Sequence, residues 1–295
     1  MIRFGGPVFT GEQKTAKAGE SHGAVVFDPD QLANAHKMKG YKAAYAPVVG
    51  INEKEKINAI RESFARNDIV IAEVGYWENL MDTDAGERAS NRVQMVEALA
   101  VAEALGARCA VNILGSFCHG NGNSEHVAKN FTQEAFDEAV DLARDLLNTV
   151  KPKTASFAYE IFPFNVVDSP EMIAKLIKAV DHKQFGVHLD LVNLINCPRA
   201  YFRSGEIMDE CIKLFGDKIV SAHVKDVKMK APAISVILEE VPAGQGGLDL
   251  AKYLRELHKL PVEIPLMMEH LSDEAEYDMA AAHIRKVAKQ EKIEI

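Results

Sequence analysis

Phe185-Gly-Val-His-Leu-Asp190 is a short apolar run that closes on a carboxylate, and three other runs in the chain are built alike. They are Ser156-Phe-Ala-Tyr-Glu160-Ile-Phe, Ile219-Val-Ser-Ala-His223 and Ile264-Pro-Leu-Met-Met-Glu269. Short apolar runs bounded by polar segments read as buried strands. Segments of helical period separate them, so the simplest arrangement is one parallel sheet. In a closed parallel barrel all strand ends converge on one mouth. Glu160, Asp190, His223 and Glu269 would meet there and form a hard, oxygen-rich site for a divalent cation such as Mg²⁺ or Mn²⁺. One polar residue closing a strand is ordinary. Four in the same relative place point to a metal site.

The rest of the chain extends the pattern. Ile2–Val8, Tyr41–Val48, Asp68–Val74 and Arg108–Leu114 read as further strands, and the strand that opens at Ile219 is expected to run on to Val227. Helices are expected over Gln31–Lys39, Lys54–Arg66 and Gly86–Leu105, the last closed by Gly106. Thr132 caps a helix running to Val150, Ser169-Pro170 opens another, and three more lie around Gly205–Phe215, from Asp249 to Lys259 and from Asp273 onward. Eight strand–helix units with no linker or composition break predict an α/β fold, a single-domain (β/α)8 TIM barrel over residues 1–295. An open doubly wound sheet is the alternative. The stretches Gly115–Asn130 and Lys228–Gly247 are expected as long irregular loops on the side of the four strand-end residues, where such loops are usually functional.

Alternate residues of a strand share a face, so His188 points with Asp190, and Lys225 with His223. Inward polar residues are costly unless paired, coordinated or working, so each is a substrate contact or a structural partner. His119, in the loop after the fourth strand, is a spare acid or base. Trp77, the one tryptophan, lies in the loop after the third strand and joins them as a candidate substrate contact.

Composition narrows the partners. The 295 residues carry 34 Lys+Arg against 43 Asp+Glu, a net charge of −9, which disfavours nucleic acid. The four cysteines show no paired spacing and are too few for a disulfide scaffold, and Cys109 reads as core. With no basic-then-apolar leader and no run of ~18 apolar residues, the expected setting is the cytoplasm, away from membranes.

Several of these motifs together carry a resemblance. Tyr159-Glu160, His188-Leu-Asp190 with Asn193 following, His223-Val-Lys225-Asp226, Pro242-Ala-Gly244-Gln-Gly246 and Glu269-His270 resemble the xylose isomerase-like barrel superfamily. More narrowly they resemble its sugar phosphate isomerase/epimerase members. The likeness runs from about Ile69 to the C-terminus and is specific in the second half, whereas the first half supports mainly the fold. It implies one divalent ion, Mn²⁺ first, with Mg²⁺, Co²⁺ or Zn²⁺ as alternatives, held by Glu160, Asp190, His223 and Glu269.

The resemblance also implies catalytic roles for Glu160 and Glu269, which would exchange a carbon-bound proton on opposite faces of a sugar through a metal-stabilised enediolate. The same first step followed by elimination gives the lyases of the superfamily, such as inosose dehydratases and C-glycoside deglycosidases. Two positions depart from the ketose 3-epimerase pattern: Asn193, where a substrate-binding His is frequent, and Gln245, where an acid is frequent. Asn193 stays a candidate substrate contact. The expected substrate is a small sugar or cyclic polyol, and the expected assembly a homo-oligomer. A non-catalytic sugar-binding barrel and an endonuclease IV-like hydrolase are the remaining alternatives.

Overall fold

A computed structural model describes residues 1–9, 28–120 and 125–295. Its strands are β1 (Ile2–Gly5), β2 (Ala43–Tyr45), β3 (Val70–Gly75), β4 (Cys109–Asn112), β5 (Ser156–Glu160), β6 (Phe185–Asp190) and β7 (Ile219–Val224). After a hairpin of β8 (Asp226–Met229) and β9 (Leu238–Val241) comes β10 (Ile264–Met268). The eight strands other than the hairpin close into a barrel in the order β1-β10-β7-β6-β5-β4-β3-β2, and every neighbouring pair is parallel. This is a (β/α)8 barrel.

The helices are α1 (Pro29–Met38), α2 (Lys54–Arg66), α3 (Ala85–Leu105), α4 (Gln133–Val150), α5 (Pro170–Val180), α6 (Pro198–Phe202), α7 (Ser204–Phe215), α8 (Leu250–Lys259) and α9 (Glu274–Gln290). Local chemistry sets their ends. The carboxylates of Asp28, Asp84, Asp249 and Asp273 and the hydroxyl of Thr132 accept first-turn amides of α1, α3, α8, α9 and α4, satisfying donors that a helix leaves unpaired. Gly106 takes the left-handed conformation, φ 72°, that closes α3. Ser169 occupies the cap position of α5 with Pro170 following, but its hydroxyl makes no capping bond.

The core lies between the outer faces of the strands and the helices, with Phe4, Phe64, Leu99, Leu147, Phe157 and Phe215 almost fully buried. No helix among the described residues is long and apolar enough to cross a membrane.

Two expectations are corrected. The seventh strand does not run on to Val227. It leaves the barrel after Val224, and Asp226–Met229 pairs antiparallel with Leu238–Val241. The stretch expected as an irregular loop over Lys228–Gly247 therefore contains most of a hairpin: half of β8, the connection and all of β9. Val227 packs with Val192 and Ile195, and Leu238 joins them, so burial of this apolar seam holds the hairpin on the barrel rim. Its connection is eight residues long (230–237), which gives none of the tight-turn signals that mark a hairpin in sequence. The other long loop, Gly115–Asn130, contains a short 3₁₀ turn at Ala128–Phe131, and residues 121–124 within it lie outside the described residues.

Candidate metal centre

Glu160 ends β5, Asp190 ends β6, His223 lies one residue from the end of β7, and Glu269 follows β10. Each strand delivers one side chain to the same end of the barrel. One ligand atom from each of the four lies within 4.8 Å of the others, and all four residues are buried. Nδ1 of His223 is 3.2 Å from Glu160 Oε1 and 2.9 Å from Glu269 Oε2, so two carboxylates meet the same ring nitrogen. Asp190 Oδ1 accepts the amides of Val192 and Asn193, which fixes the carboxylate where the chain turns out of β6.

The other nitrogen of His223 has its own partner. Nε2 lies 3.2 Å from Oε1 of Glu73, a residue of β3. Glu73 Oε2 is 2.6 Å from His188 Nε2 and accepts the Ser221 hydroxyl at 3.2 Å. The strand β3 is not a neighbour of β6 or β7, so these bonds cross the barrel interior. Burial opposes ionisation of Glu73, but the charges and hydrogen bonds of His188 and His223 outweigh it, and its pKa falls far below the ordinary carboxylate value. A carboxylate behind an imidazole fixes its tautomer and orientation, as behind metal-bound histidines.

Lys225 projects to the same side as His223. Its ammonium lies 2.7 Å from Asp190 Oδ2, 2.7 Å from Glu269 Oε1 and 2.8 Å from Glu240 Oε1, the last contributed by the hairpin. Its partners are these three carboxylates and not Asp226. That neighbour points the other way and accepts the amides of Val227, Gly244, Gly246 and Leu248 at 2.8–3.0 Å. Gly246 can have no side chain, because a Cβ would sit 2.2 Å from Val227 O. The Gly244-Gln-Gly246 turn is thus a backbone clamp on one carboxylate.

Charge at the centre is balanced by cations. Burial lowers the pKa of His223 and Lys225, but the surrounding carboxylates outweigh it, and both are held well above their ordinary values. Burial raises the Asp190 carboxyl to about 7 against the pull of Lys225, while Glu269, beside His223 and Lys225, stays well below the carboxylate range.

A cation suits this donor set. Asp190 Oδ2 and Glu269 Oε1 are buried and accept no well-directed hydrogen bond, although the Lys225 ammonium balances their charge. Three carboxylates and one imidazole match a hard or borderline divalent ion, and binding one would displace the proton of His223.

A cavity of about 470 Å³ opens over the quartet. Asn193, Lys225 and Trp77 line it. The Asn193 amide donates to Ile161 O at 2.9 Å and approaches Glu160 Oε1 at 3.4 Å. His188 does not line the cavity. It is fully buried on Glu73, because its place two residues before Asp190 puts it deeper in the barrel. His119 is also absent from the lining. It is exposed beyond the rim, with Nδ1 3.1 Å from Asp82.

Glu73, Glu240 and His270 are the residues that the sequence reading passed over. Glu73 lies in the middle of an apolar run and Glu240 in the unrecognised hairpin. His270, adjacent to Glu269, carried a signal only through that position.

The profile of the xylose isomerase-like TIM barrel matches residues 27–287. The chain belongs to this family. Comparison with functionally curated proteins finds no match. Among solved structures, the family barrel of this chain is similar to 3-keto-D-glucoside 4-epimerase from E. coli, with TM-score 0.66 and 13% identity over 97% of this chain and 100% of that one. It is also similar to D-psicose 3-epimerase with D-tagatose from Clostridium cellulolyticum H10, with TM-score 0.63 and 14% identity over 91% and 95%. A third is a xylose isomerase-like TIM barrel protein from Mycobacterium smegmatis in complex with magnesium, with TM-score 0.63 and 15% identity over 89% and 87%. Identities this low establish a shared fold and nothing finer.

Proposed function

We propose that this chain is a divalent-metal-dependent sugar isomerase or epimerase that moves a proton on carbon beside a carbonyl. The observation that carries the proposal is the pair Glu160 and Glu269, which converge on His223 Nδ1 from separate strands of one buried quartet. Family membership and the sugar epimerases among its structural relatives support the reaction class.

Glu160, Asp190, His223 and Glu269 would hold the ion, with Mn²⁺ the first expectation. When bound, the ion supplies Lewis acidity to the oxygens of the substrate carbonyl and its neighbouring hydroxyl. The chain supplies the rest. Glu269, delivered to the cavity lining by β10, is assigned as the base that takes the proton. Glu160 is assigned the return of a proton to the other face. Asn193 orients the hydroxyls that reach the cavity floor, and Lys225 holds the Asp190 and Glu269 carboxylates in place.

A second reading, elimination, draws on one feature. The buried Lys225 ammonium and His270 lie 3.4 Å apart on the cavity wall, and either can donate a proton to a leaving group. The test is incubation with Mn²⁺ and a panel of ketoses, inososes and 3-oxo-glycosides in D₂O, followed by NMR. Deuterium in a recovered sugar or its epimer is expected. An unsaturated product with loss of water or aglycone assigns the lyase, and no carbon-bound exchange on any substrate overturns both readings.

A further inference from the structure

The cavity is divided in a way that the metal chemistry does not require. The quartet comes from β5, β6, β7 and β10, on one half of the barrel mouth. Glu73, Gln94 and Glu97 aside, the opposite half is walled by Tyr45, Val48, Val49, Trp77 and Val101, from β2, the segments after β2 and β3, and α3. These side chains are apolar or aromatic.

Two details show that the wall is shaped. The Trp77 indole lies against the bare backbone of Gly75, where a Cβ would fall 2.6 Å from the ring nitrogen, so the glycine lets the ring pack closely on the end of β3. Val48, on the cavity lining, is 57% exposed. Enclosed sites in this range of size, roughly 300–1,000 Å³, take ligands of drug-like dimensions, larger than one sugar ring.

The charges exclude a second option. No arginine is among the described lining residues, and the one lysine, Lys225, is committed to three carboxylates. Glu73, Glu97, Glu160, Glu240 and Glu269 also face the cavity. The cationic groups on the lining, Lys225, His223 and His270, are each already paired with these carboxylates, so none is free to receive a phosphate. Arg199 and Arg203 are not on the lining, and Arg203 is paired with Glu206.

We infer that the substrate is an uncharged glycoside or polyol ring carrying an aromatic or similarly flat apolar substituent, with the polyol on the quartet and the substituent against Trp77. This rests on the sugar-processing function proposed above and names the substrate class of that site. A hydroxylated ring satisfies the carboxylates and Asn193. A flat apolar group removes the exposed wall from water and stacks on the indole.

Because Trp77 is the sole tryptophan, its fluorescence reports on this wall without turnover. The matched probes are 4-nitrophenyl β-D-glucopyranoside and methyl β-D-glucopyranoside, titrated into the full chain with Mn²⁺ present and followed also by calorimetry. Saturable quenching by the nitrophenyl compound is expected, with affinity about tenfold or more above that of the methyl compound. Val48→Asp, at an exposed rim position that the fold does not need, should shrink that ratio toward one, and Trp77→Leu should do the same by calorimetry. Equal affinity for the two probes, or no saturable quenching, overturns the inference. Proton exchange into free sugars without an aryl preference sinks this inference alone, whereas an aryl preference without any exchange sinks the proposed reaction alone.

Discussion

Glu73 Oε1 stands 3.2 Å from Nε2 of His223, on the side of the ring turned away from the quartet. A carboxylate from one strand thereby sets which nitrogen of a histidine on the opposite side of the barrel, four strands away, is free to bind a cation. Glu73→Gln keeps the shape and removes the charge, and its Mn²⁺ affinity should fall by roughly 10–100-fold with the fold intact. Isothermal titration with circular dichroism as the control checks this. Unchanged affinity would remove Glu73 from the centre.

The quartet should divide into holders and workers. Asp190→Ala or His223→Ala should abolish tight Mn²⁺ binding, since each removes a donor that water replaces poorly. Glu160→Gln and Glu269→Gln keep an oxygen at the site and lose the basicity, so proton exchange should drop by ~10²–10⁴-fold while metal content changes far less. Metal analysis beside exchange rates separates the two groups. Full exchange in either Gln variant would strike that glutamate from the chemistry.

Lys225 should matter most when no metal is present. Lys225→Met leaves Asp190, Glu269 and Glu240 facing one another without their shared cation, and removing one partner of such a buried group costs about 3–5 kcal/mol. Saturating Mn²⁺ should restore most of the lost stability, because the ion takes over the neutralisation. Thermal melts with Mn²⁺ and with chelator test this; an equal loss under both conditions would refute it.

Stability should also report on His36, buried between Tyr41 and Phe64 with Nδ1 unpartnered. Burial lowers its pKa from 6.5 to about 4. The unfolded chain then binds the proton more readily, so this contribution is complete above pH 6.5 and is lost as the pH falls toward 4. The shift corresponds to about 3 kcal/mol across that interval. His36→Phe should flatten the stability profile between pH 4 and 6.5 in urea titrations. A variant as acid-sensitive as the natural chain would count against this account.

The barrel is readable in the sequence because its signals are local. Strand runs such as Phe185–Asp190 are short, apolar and buried on both faces, and caps such as Thr132 and Gly106 lie within a few residues of the helices they bound. The side chains that converge at the mouth are legible for a related reason: strand-end position is a local property that closure turns into proximity. Glu73 shows where this stops. Nothing nearby in sequence tells it from a residue of an ordinary buried strand, and its partners are 115 and 150 residues away. The roles of His188 and Lys225 were open for the same reason, since facing inward does not say how deep a side chain sits or which carboxylates surround it.

The hairpin of β8 and β9 is stitched at its own base, with Asp226 opposite Val241, and Asp226 also gathers the turn that follows. Both ends of the eight-residue connection (230–237) therefore leave from and return to a fixed frame. That stretch behaves as an interchangeable part. Its length and chemistry can drift, or be grafted from a relative, without disturbing a barrel strand, and the cost of lengthening it grows only with the logarithm of its length. Glu240, one step inside the frame, is where such a swap would first be felt at Lys225.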